Sequence, residues 1–175
     1  MNLGRFKQIK AIISDVDGIL TDGSIVVTEQ GESKTFSVRD GMAIALWRKC
    51  GFKFALLSGR LSAPVTKRAE ELGLEAVKTG RLDKETAFNE ILEEIGLSAD
   101  EVAYIGDDLP DLAPIQLAKL GFCPQDGAPE VQEAADYVVP VDGGRGVVRH
   151  IIERILKEQG LWSAVVKHHY AKAHQ

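Results

Sequence analysis

Short apolar runs alternate along this chain with segments of helical periodicity, and this alternation restricts the fold more than any other feature. Residues 9–13, 53–57 and 101–105 are rich in β-branched and other apolar residues and have the length of buried strands. Between the last two runs, residues 83–95 carry apolar side chains at the spacing of an amphipathic helix. Repeated strand–helix–strand units form a parallel sheet with helices on both faces. The sequence therefore predicts a Rossmann-like α/β fold.

The segment after the first predicted strand predicts a β-hairpin. Residues 24–28 and 34–38 are strand-like and flank a turn at residues 29–32, so the hairpin spans about residues 24–38. Asp40 is then expected to cap the next helix, because an aspartate at this position accepts hydrogen bonds from the first free backbone amides of a helix.

The length of the chain suits one domain. A chain of 175 residues buries roughly two-thirds of the surface that it exposes when unfolded. We expect a single domain over residues 1–160 and a C-terminal tail over residues 161–175. The tail could extend the last helix, dock on a neighbouring subunit or be disordered.

The composition argues against several classes of partner. The net charge is −5 and there is no dense run of lysine and arginine, so nucleic acid is not expected to bind. Residues 1–10 lack the apolar core of a signal peptide, and no stretch approaches the ~20 apolar residues that cross a bilayer. Cys50 and Cys123 lack metal-ligand spacing, and a disulfide framework is not expected. We therefore expect a cytoplasmic protein without a membrane segment.

Polar side chains follow the predicted strands at the points where the strands end. Asp15 and Asp17 follow the first strand, Ser58 follows the second and Asp107 a later one, while Lys84 begins a predicted helix. Because the carboxyl ends of parallel strands meet at one edge of the sheet, these segments can form one pocket. Carboxylates could hold Mg²⁺ beside a phosphate whose oxygens bind the lysine and the hydroxyl. The arrangement predicts metal-assisted phosphoryl transfer.

In order along the chain, these residues resemble the four motifs of the haloacid dehalogenase superfamily of phosphatases. The match covers residues 10–111, and the four motifs together are far more specific than an isolated Asp-x-Asp pair. The matching residues are Asp15-x-Asp17-Gly18-x-x-Thr21, Ser58, Lys84 and Gly106-Asp107-Asp108-x-x-Asp111.

The resemblance implies a two-step mechanism. Asp15 attacks phosphorus and forms an aspartyl-phosphate intermediate. Asp17 protonates the departing sugar oxygen and then activates the water that hydrolyses the intermediate. Ser58 would hydrogen-bond the phosphoryl group, and Lys84 would screen the charge between the nucleophile and the phosphate.

The resemblance also implies a magnesium site. The expected ligands are the carboxylate of Asp15, the backbone carbonyl of Asp17 and the carboxylate of Asp107. Further side chains are expected to orient the site without necessarily touching the metal; these are Asp108, Asp111 and Thr21.

Only short segments separate the motifs, so no cap domain is expected. Residues 22–39 suffice for a hairpin, and the stretch between Ser58 and Lys84 suffices for one helix and a short strand. The chain closely resembles the capless, tetrameric branch of the superfamily that hydrolyses the eight-carbon sugar acid ester 3-deoxy-D-manno-octulosonate 8-phosphate. Three further stretches carry this resemblance, at residues 15–23, 36–41 and 143–149.

The same resemblance implies a homotetramer with the hairpins at its core. An open site without a cap needs something to complete its pocket, and a neighbouring subunit is the simplest candidate. The apolar side chains of the hairpin exceed what a free two-stranded ribbon should expose; they are Ile25, Val26, Val27, Phe36 and Val38.

The expected substrate carries both a phosphate and a carboxylate. Arg60 follows Ser58 and Gly59, which the motif assigns to phosphate binding, and its planar fork suits the substrate carboxylate. Arg68 could contribute from an adjacent subunit. Relatives in this branch act on nine-carbon sugar acid 9-phosphates, and there we expect a glutamate at the position of Arg60. The arginine therefore favours the eight-carbon substrate, with the nine-carbon substrate as the alternative.

Other protein classes fit the sequence less well. A response-regulator receiver also combines aspartates, a hydroxyl and a lysine on a parallel sheet, but its acidic pair belongs at the first strand and its phosphoacceptor at the third. A glycosyltransferase with an Asp-x-Asp motif needs a larger nucleotide-binding region. A metal-binding regulatory module that has lost turnover is the non-enzymatic alternative, and the intact motif residues argue against it.

Overall fold

Six parallel strands form the central sheet in the computed structural model, which describes residues 3–169. The eight strands are β1 (Ala11–Ser14), β2 (Val26–Thr28), β3 (Gly31–Ser33), β4 (Lys53–Leu57), β5 (Ala76–Lys78), β6 (Val102–Ile105), β7 (Leu120–Pro124) and β8 (Tyr137–Val139). The sheet order is β5-β4-β1-β6-β7-β8, and β2 pairs with β3 as a separate antiparallel hairpin. The Rossmann-like α/β fold with a hairpin after the first strand is confirmed.

Helices cover both faces of the sheet. They are α1 (Val38–Lys49), α2 (Ala63–Leu72), α3 (Lys84–Ile95), α4 (Leu112–Leu117), α5 (Pro129–Ala134), α6 (Val147–Glu158) and α7 (Trp162–His169). No helix within residues 3–169 has the length and apolar character needed to cross a bilayer. Within the same residues, only the hairpin is inserted between β1 and α1, so no cap domain covers the strand ends.

The core consists of two apolar layers, one on each face of the sheet. Successive residues of a strand point to opposite faces. Ile12 of β1 therefore packs with α1, α2 and α6, whereas Ile13 packs with α3, α4 and α5. Both layers contain fully buried aromatic side chains, such as Trp47 and Phe88. This double layer holds β1 rigidly between β4 and β6, and the residues that follow these three strands share one edge.

Two local predictions were wrong. Ser37, rather than Asp40, caps α1: its hydroxyl accepts a hydrogen bond from the Asp40 amide at 3.3 Å. The buried Asp40 carboxylate instead accepts the backbone amide of Arg149 at 2.7 Å, near the start of α6. The second hairpin strand is Gly31–Ser33 rather than residues 34–38, because only Glu29 and Gln30 form the turn.

The described part of the tail forms α7. The Trp162 ring packs against the core layer of α6, with the Arg149 guanidinium 5.1 Å from its centroid. Residues 170–175 of the predicted tail lie outside the described residues.

Candidate active site

The carboxyl ends of β1, β4 and β6 border one cavity of about 330 Å³. Strand hydrogen bonding continues into the site, since the Asp15 amide donates to the Ile105 carbonyl at 2.9 Å and the Ser58 amide donates to the Lys78 carbonyl at 2.8 Å. Most of the site residues predicted from the sequence line this cavity: Asp15, Asp17, Ser58, Gly59, Arg60, Lys84, Asp107, Asp108 and Asp111.

Asp15 and Lys84 form a buried ion pair in this cavity. Lys84 Nζ lies 2.9 Å from Oδ1 of Asp15, and the two side chains are 5% and 9% exposed. Burial and the negative charge of Asp111 raise the pKa of Asp15 to about 7, and Lys84 opposes that rise. Burial lowers the pKa of Lys84, but the two carboxylates more than offset this, so that pKa is raised. Lys84 is therefore charged at neutral pH.

Asp111 lies fully buried behind this pair, and both of its carboxylate oxygens are occupied. Its Oδ1 accepts hydrogen bonds from Lys84 Nζ at 2.7 Å and from the Tyr104 hydroxyl at 2.6 Å. Its Oδ2 accepts the backbone amides of Asp107 at 3.2 Å and Asp108 at 3.3 Å. Asp111 thereby fixes both the lysine and the loop that follows β6.

Tyr104 is a site residue that the sequence reasoning missed. Its ring is fully buried in β6, and its hydroxyl contacts Asp111. Burial and the charge of Asp111 raise the pKa of Tyr104 well above its ordinary value, so the hydroxyl remains a donor at neutral pH. The sequence contains a signal for this residue, because a tyrosine within an otherwise aliphatic buried strand needs a hydrogen-bond partner for its hydroxyl.

Asp107 presents an unpaired oxygen to the cavity region. Its Oδ1 is buried and has no hydrogen-bond partner among the described residues. Carboxylate oxygens of Asp15, Asp107 and Asp111 lie within 4.8 Å of one another. Burial and the charges of Asp15 and Asp111 raise the pKa of Asp107 to about 8. Hard oxygen donors at this spacing fit Mg²⁺, whose charge would offset their mutual repulsion.

Two motif glycines allow the loops to approach these carboxylates. Gly18 has a φ of +84°, and a Cβ at this position would lie 2.0 Å from Oδ2 of Asp107. A Cβ at Gly106 would lie 2.3 Å from the Cβ of Asp111. Close packing against the acidic cluster therefore requires glycine at both positions.

Asp17 faces the hairpin side of the cavity. Its Oδ1 pairs with Lys34 Nζ, and its Oδ2 lies 4.0 Å from Arg60 Nε. Arg60 in turn pairs with Glu32 of the hairpin, with 3.1 Å between Nη2 and Oε2. Glu32 and Lys34 were not predicted from the sequence, although two opposite charges two residues apart on a hairpin are a signal for one polar face.

Ser58 is positioned by the loop that it begins. Its side chain is buried at the end of β4, and its Oγ accepts the Arg60 backbone amide at 3.2 Å. The Arg81 amide donates to the Ser58 carbonyl at 3.1 Å and ties this loop to the segment before α3. The hydroxyl and the lysine at the start of α3 line the same cavity.

Of the remaining predicted residues, Thr21 and Arg68 do not line the cavity, whereas Asp108 lines it. Thr21 is buried outside the cavity lining, where its hydroxyl accepts the Gly23 amide at 3.3 Å. Asp108 is exposed and accepts the Leu109 amide at 2.8 Å. Arg68 does not line this cavity: it pairs with Glu71 at 2.8 Å.

Comparisons with known proteins agree with the motifs. Residues 76–151 match the family model for haloacid dehalogenase-like hydrolases. The chain is 38% identical, over 157 residues, to the 3-deoxy-D-manno-octulosonate 8-phosphate phosphatase KdsC of Haemophilus influenzae, which covers 89% of this chain and 87% of that relative.

Solved structures are also similar. The phosphatase of the same name from Moraxella catarrhalis, in complex with a magnesium ion, a phosphate ion and a KDO molecule, has a TM-score of 0.91 and 38% identity, covering 95% of this chain and 96% of that one. The cobalt-bound Haemophilus influenzae enzyme has a TM-score of 0.89 and 37% identity, covering 91% and 94%. The chain therefore belongs to the haloacid dehalogenase-like hydrolase family, in the branch that includes KdsC.

Proposed function

We propose that this chain is a Mg²⁺-dependent phosphatase that hydrolyses 3-deoxy-D-manno-octulosonate 8-phosphate to the free sugar acid and phosphate. The observation that carries the proposal is the buried Asp15–Lys84 pair, in a cavity where an oxygen of Asp107 has no hydrogen-bond partner within residues 3–169. A nucleophile, a fixed cation and a vacant hard ligand are what phosphoryl transfer requires. The 38% identity to a phosphatase acting on this ester supports the choice of substrate.

Asp15 and Asp17 carry the covalent chemistry. A carboxylate oxygen of Asp15 attacks phosphorus, the bond between phosphorus and the sugar oxygen breaks, and its electron pair goes to that oxygen. Asp17 donates the proton that the sugar oxygen takes up. Water then attacks the phosphorus of the aspartyl phosphate and gives its proton to Asp17. Cleavage of the acyl phosphate regenerates the Asp15 carboxylate.

Lys84 and Ser58 bind the phosphoryl group. Lys84 is held by both Asp15 and Asp111, so its charge is fixed before substrate enters and no reorganisation is needed during the reaction. Ser58 lines the same cavity, and its hydroxyl can donate to a phosphoryl oxygen because it accepts rather than donates in its bond with Arg60.

Asp15, Asp107 and the backbone carbonyl of Asp17 would hold Mg²⁺. Asp111 belongs to the same acidic cluster, but hydrogen bonds already engage both of its oxygens, so we assign it to positioning. Bound Mg²⁺ supplies charge neutralisation at the attacking carboxylate and the phosphoryl oxygens. Burial and the neighbouring carboxylates raise the pKa values of Asp15 and Asp107, and such a cation would offset both effects.

Arg60 and Gly59 form the side of the cavity to which we assign the sugar-acid part of the substrate. The Arg60 side chain is half exposed and lines the cavity, and Glu32 holds its guanidinium. Its remaining donors suit the carboxylate or hydroxyl groups of a sugar acid. A nine-carbon sugar acid 9-phosphate is the alternative substrate.

We infer a homotetramer built on the hairpins. Val26 and Val27 of β2 are 56% and 81% exposed, and Val38 at the start of α1 is 80% exposed; association would bury these apolar side chains. Arg68 would act from an adjacent subunit, because it does not line the cavity of its own chain. The two unpaired cysteines agree with a cytoplasmic, reducing location.

Phosphate release from the eight-carbon and nine-carbon esters, with Mg²⁺ and with EDTA, tests the proposal. We expect Mg²⁺-dependent release with a preference for the eight-carbon ester. Asp15→Asn should abolish release while the circular dichroism spectrum is unchanged. A preference for the nine-carbon ester would change the assigned substrate to that ester and would leave the proposed mechanism unchanged. No release from either ester or from a wider panel of phosphate esters would favour a regulatory module instead.

A further inference from the structure

One face of the hairpin carries two opposite charges that reach the active site. Glu32 and Lys34 are two residues apart, so their side chains share a face of the extended segment. Both are partly buried, whereas their chain neighbours Gly31, Ser33 and Thr35 are exposed. Lys34 pairs with Asp17, and Glu32 pairs with Arg60 at 3.1 Å. The hairpin thus contacts a catalytic carboxyl as well as a cavity arginine.

Lys34 has no surface with which to meet a substrate. Its side chain is 0% exposed, whereas its partner Asp17 is 21% exposed. Asp17 lines the cavity, and Lys34 is absent from that lining. A buried ammonium group needs an acidic or polar partner to offset its lost hydration. Lys34 is therefore placed to act on the reaction through its ion pair with Asp17 rather than by touching the substrate.

We propose that Lys34 is a positioning residue for proton transfer. It holds Oδ1 of Asp17 from the hairpin side and leaves Oδ2, the oxygen on the side of Arg60, to exchange the proton in the cavity. The inference rests on the proposed function, because it takes Asp17 as the proton donor. It gives the hairpin a role in the chemistry in addition to assembly.

Two phosphate esters whose leaving groups differ in their need for a proton can distinguish this positioning role from a merely structural one. When the phosphorus–oxygen bond of a sugar ester breaks, the electron pair goes to an alkoxide oxygen that needs the Asp17 proton. Nitrophenolate leaves without a proton because its charge is delocalised. A displaced Asp17 therefore slows transfer from the sugar ester and spares transfer from p-nitrophenyl phosphate.

The test compares Lys34→Met and Lys34→Arg on both esters, using kcat/KM, which reports only the steps up to phosphoryl transfer. Proton transfer contributes roughly 10²- to 10⁴-fold to catalysis, so we expect Lys34→Met to lower kcat/KM for the sugar ester by about 100-fold. The kcat/KM of Lys34→Met for p-nitrophenyl phosphate should stay within about threefold of the wild-type value. Lys34→Arg should recover most of the loss. Nitrophenol release by Lys34→Met should show a burst, because Asp17 also serves the hydrolysis of the intermediate.

Matched controls separate the outcomes. Lys10→Met removes an exposed ion pair with Glu101 and should match the wild type on both esters. Light scattering checks that Lys34→Met keeps the assembly of the wild type, and Lys34→Gln replaces it if the methionine variant does not fold. A crystal structure of the variant should show the Asp17 carboxylate moved from its wild-type position.

Three results would overturn the inference alone. If Lys34→Met lost kcat/KM equally on both esters while its assembly stayed intact, Lys34 would have only a structural role. Unchanged activity on the sugar ester, or an unmoved Asp17, would show that Lys34 does not position the acid. A wild type that hydrolyses neither ester would instead overturn the proposed function, and the positioning role with it.

Discussion

Nζ of Lys84 lies 2.9 Å from Oδ1 of Asp15, and both side chains are more than nine-tenths buried. The pair is asymmetric, because Asp111 supplies a second carboxylate at 2.7 Å from the same ammonium group. Two buried carboxylates thus share one lysine, and the pKa of Asp15 remains raised to about 7 by burial and by Asp111 in spite of the lysine. Lys84 alone therefore does not offset the burial and the repulsion that raise the pKa of Asp15.

Lys84→Met is the first test of this relationship. Removing the shared cation leaves two uncompensated buried carboxylates, so we expect a loss of about 3–5 kcal/mol in the free energy of unfolding. Phosphate release should fall at least about 100-fold, because the phosphoryl charge loses its fixed partner. Chemical denaturation and phosphate assays measure the two effects.

Lys78→Met is the matched control for this variant. It removes the Lys78–Glu94 ion pair, whose atoms lie 2.8 Å apart and which is more exposed than the Asp15–Lys84 pair. The free energy of unfolding should therefore fall by at most about 1 kcal/mol. Equal destabilisation by the two variants would contradict the special position of Lys84.

The stability of the metal-free protein should fall as the pH rises. The pKa values of Asp15 and Asp107, about 7 and about 8, lie above the ordinary 3.8 that applies to the unfolded chain. Between pH 4 and about 7 for Asp15, and between pH 4 and about 8 for Asp107, the folded state therefore holds a proton that the unfolded chain has released. Each carboxyl then contributes up to about 1.4 kcal/mol of destabilisation per pH unit. Denaturant midpoints in EDTA between pH 5 and 8 measure this slope, and a midpoint that rises over that range would contradict it.

Asp107→Asn isolates one of these carboxyls. The amide cannot ionise, so the variant without metal should exceed the wild type in stability at pH 8 by roughly 1–3 kcal/mol. Because it also loses a charged metal ligand, added Mg²⁺ should stabilise it far less than it stabilises the wild type. Thermal unfolding with and without Mg²⁺ measures both differences. A wild-type response to Mg²⁺ in Asp107→Asn would remove Asp107 from the ligand set.

The motif residues could be predicted because position along the chain determines their place in the fold. A residue that directly follows a buried parallel strand lies at the carboxyl edge of the sheet whatever the exact strand bounds. Asp15, Ser58 and Asp107 follow β1, β4 and β6 in this way, and the sequence was enough to bring them together.

Hairpin contacts could not be predicted in the same way, because a one-residue change of register reverses which side chains face the site. Lys34 faces Asp17 only because β3 begins at Gly31, three residues earlier than the sequence suggested. Asp40 shows the second limit. Its partner is the amide of Arg149, a contact between segments 109 positions apart that no local capping pattern contains.

Arg60→Ala should impair recognition of the sugar acid more than chemistry. Losing a charge-assisted hydrogen bond to the substrate costs about 1.5–3 kcal/mol of binding free energy. KM for the eight-carbon ester should therefore rise roughly 10- to 100-fold. KM for p-nitrophenyl phosphate, which has no carboxylate, should change little. Arg5→Ala, which removes an ion pair with Asp136 at the amino ends of the strands, is the control. A similar rise in KM for both esters would assign Arg60 to the phosphate instead.

Val27→Asp tests the assembly. Val27 is 81% exposed on β2, and a charge placed in an apolar interface loses hydration without gaining a partner. Light scattering should therefore show a smaller species than the tetramer that we propose for the wild type. Phosphate release should fall with it, because Arg68 of an adjacent subunit would no longer reach the site. Val138→Asp, at the β8 edge of the sheet, should leave the assembly unchanged. A fully active monomer, in either the wild type or Val27→Asp, would contradict a pocket completed by neighbouring subunits.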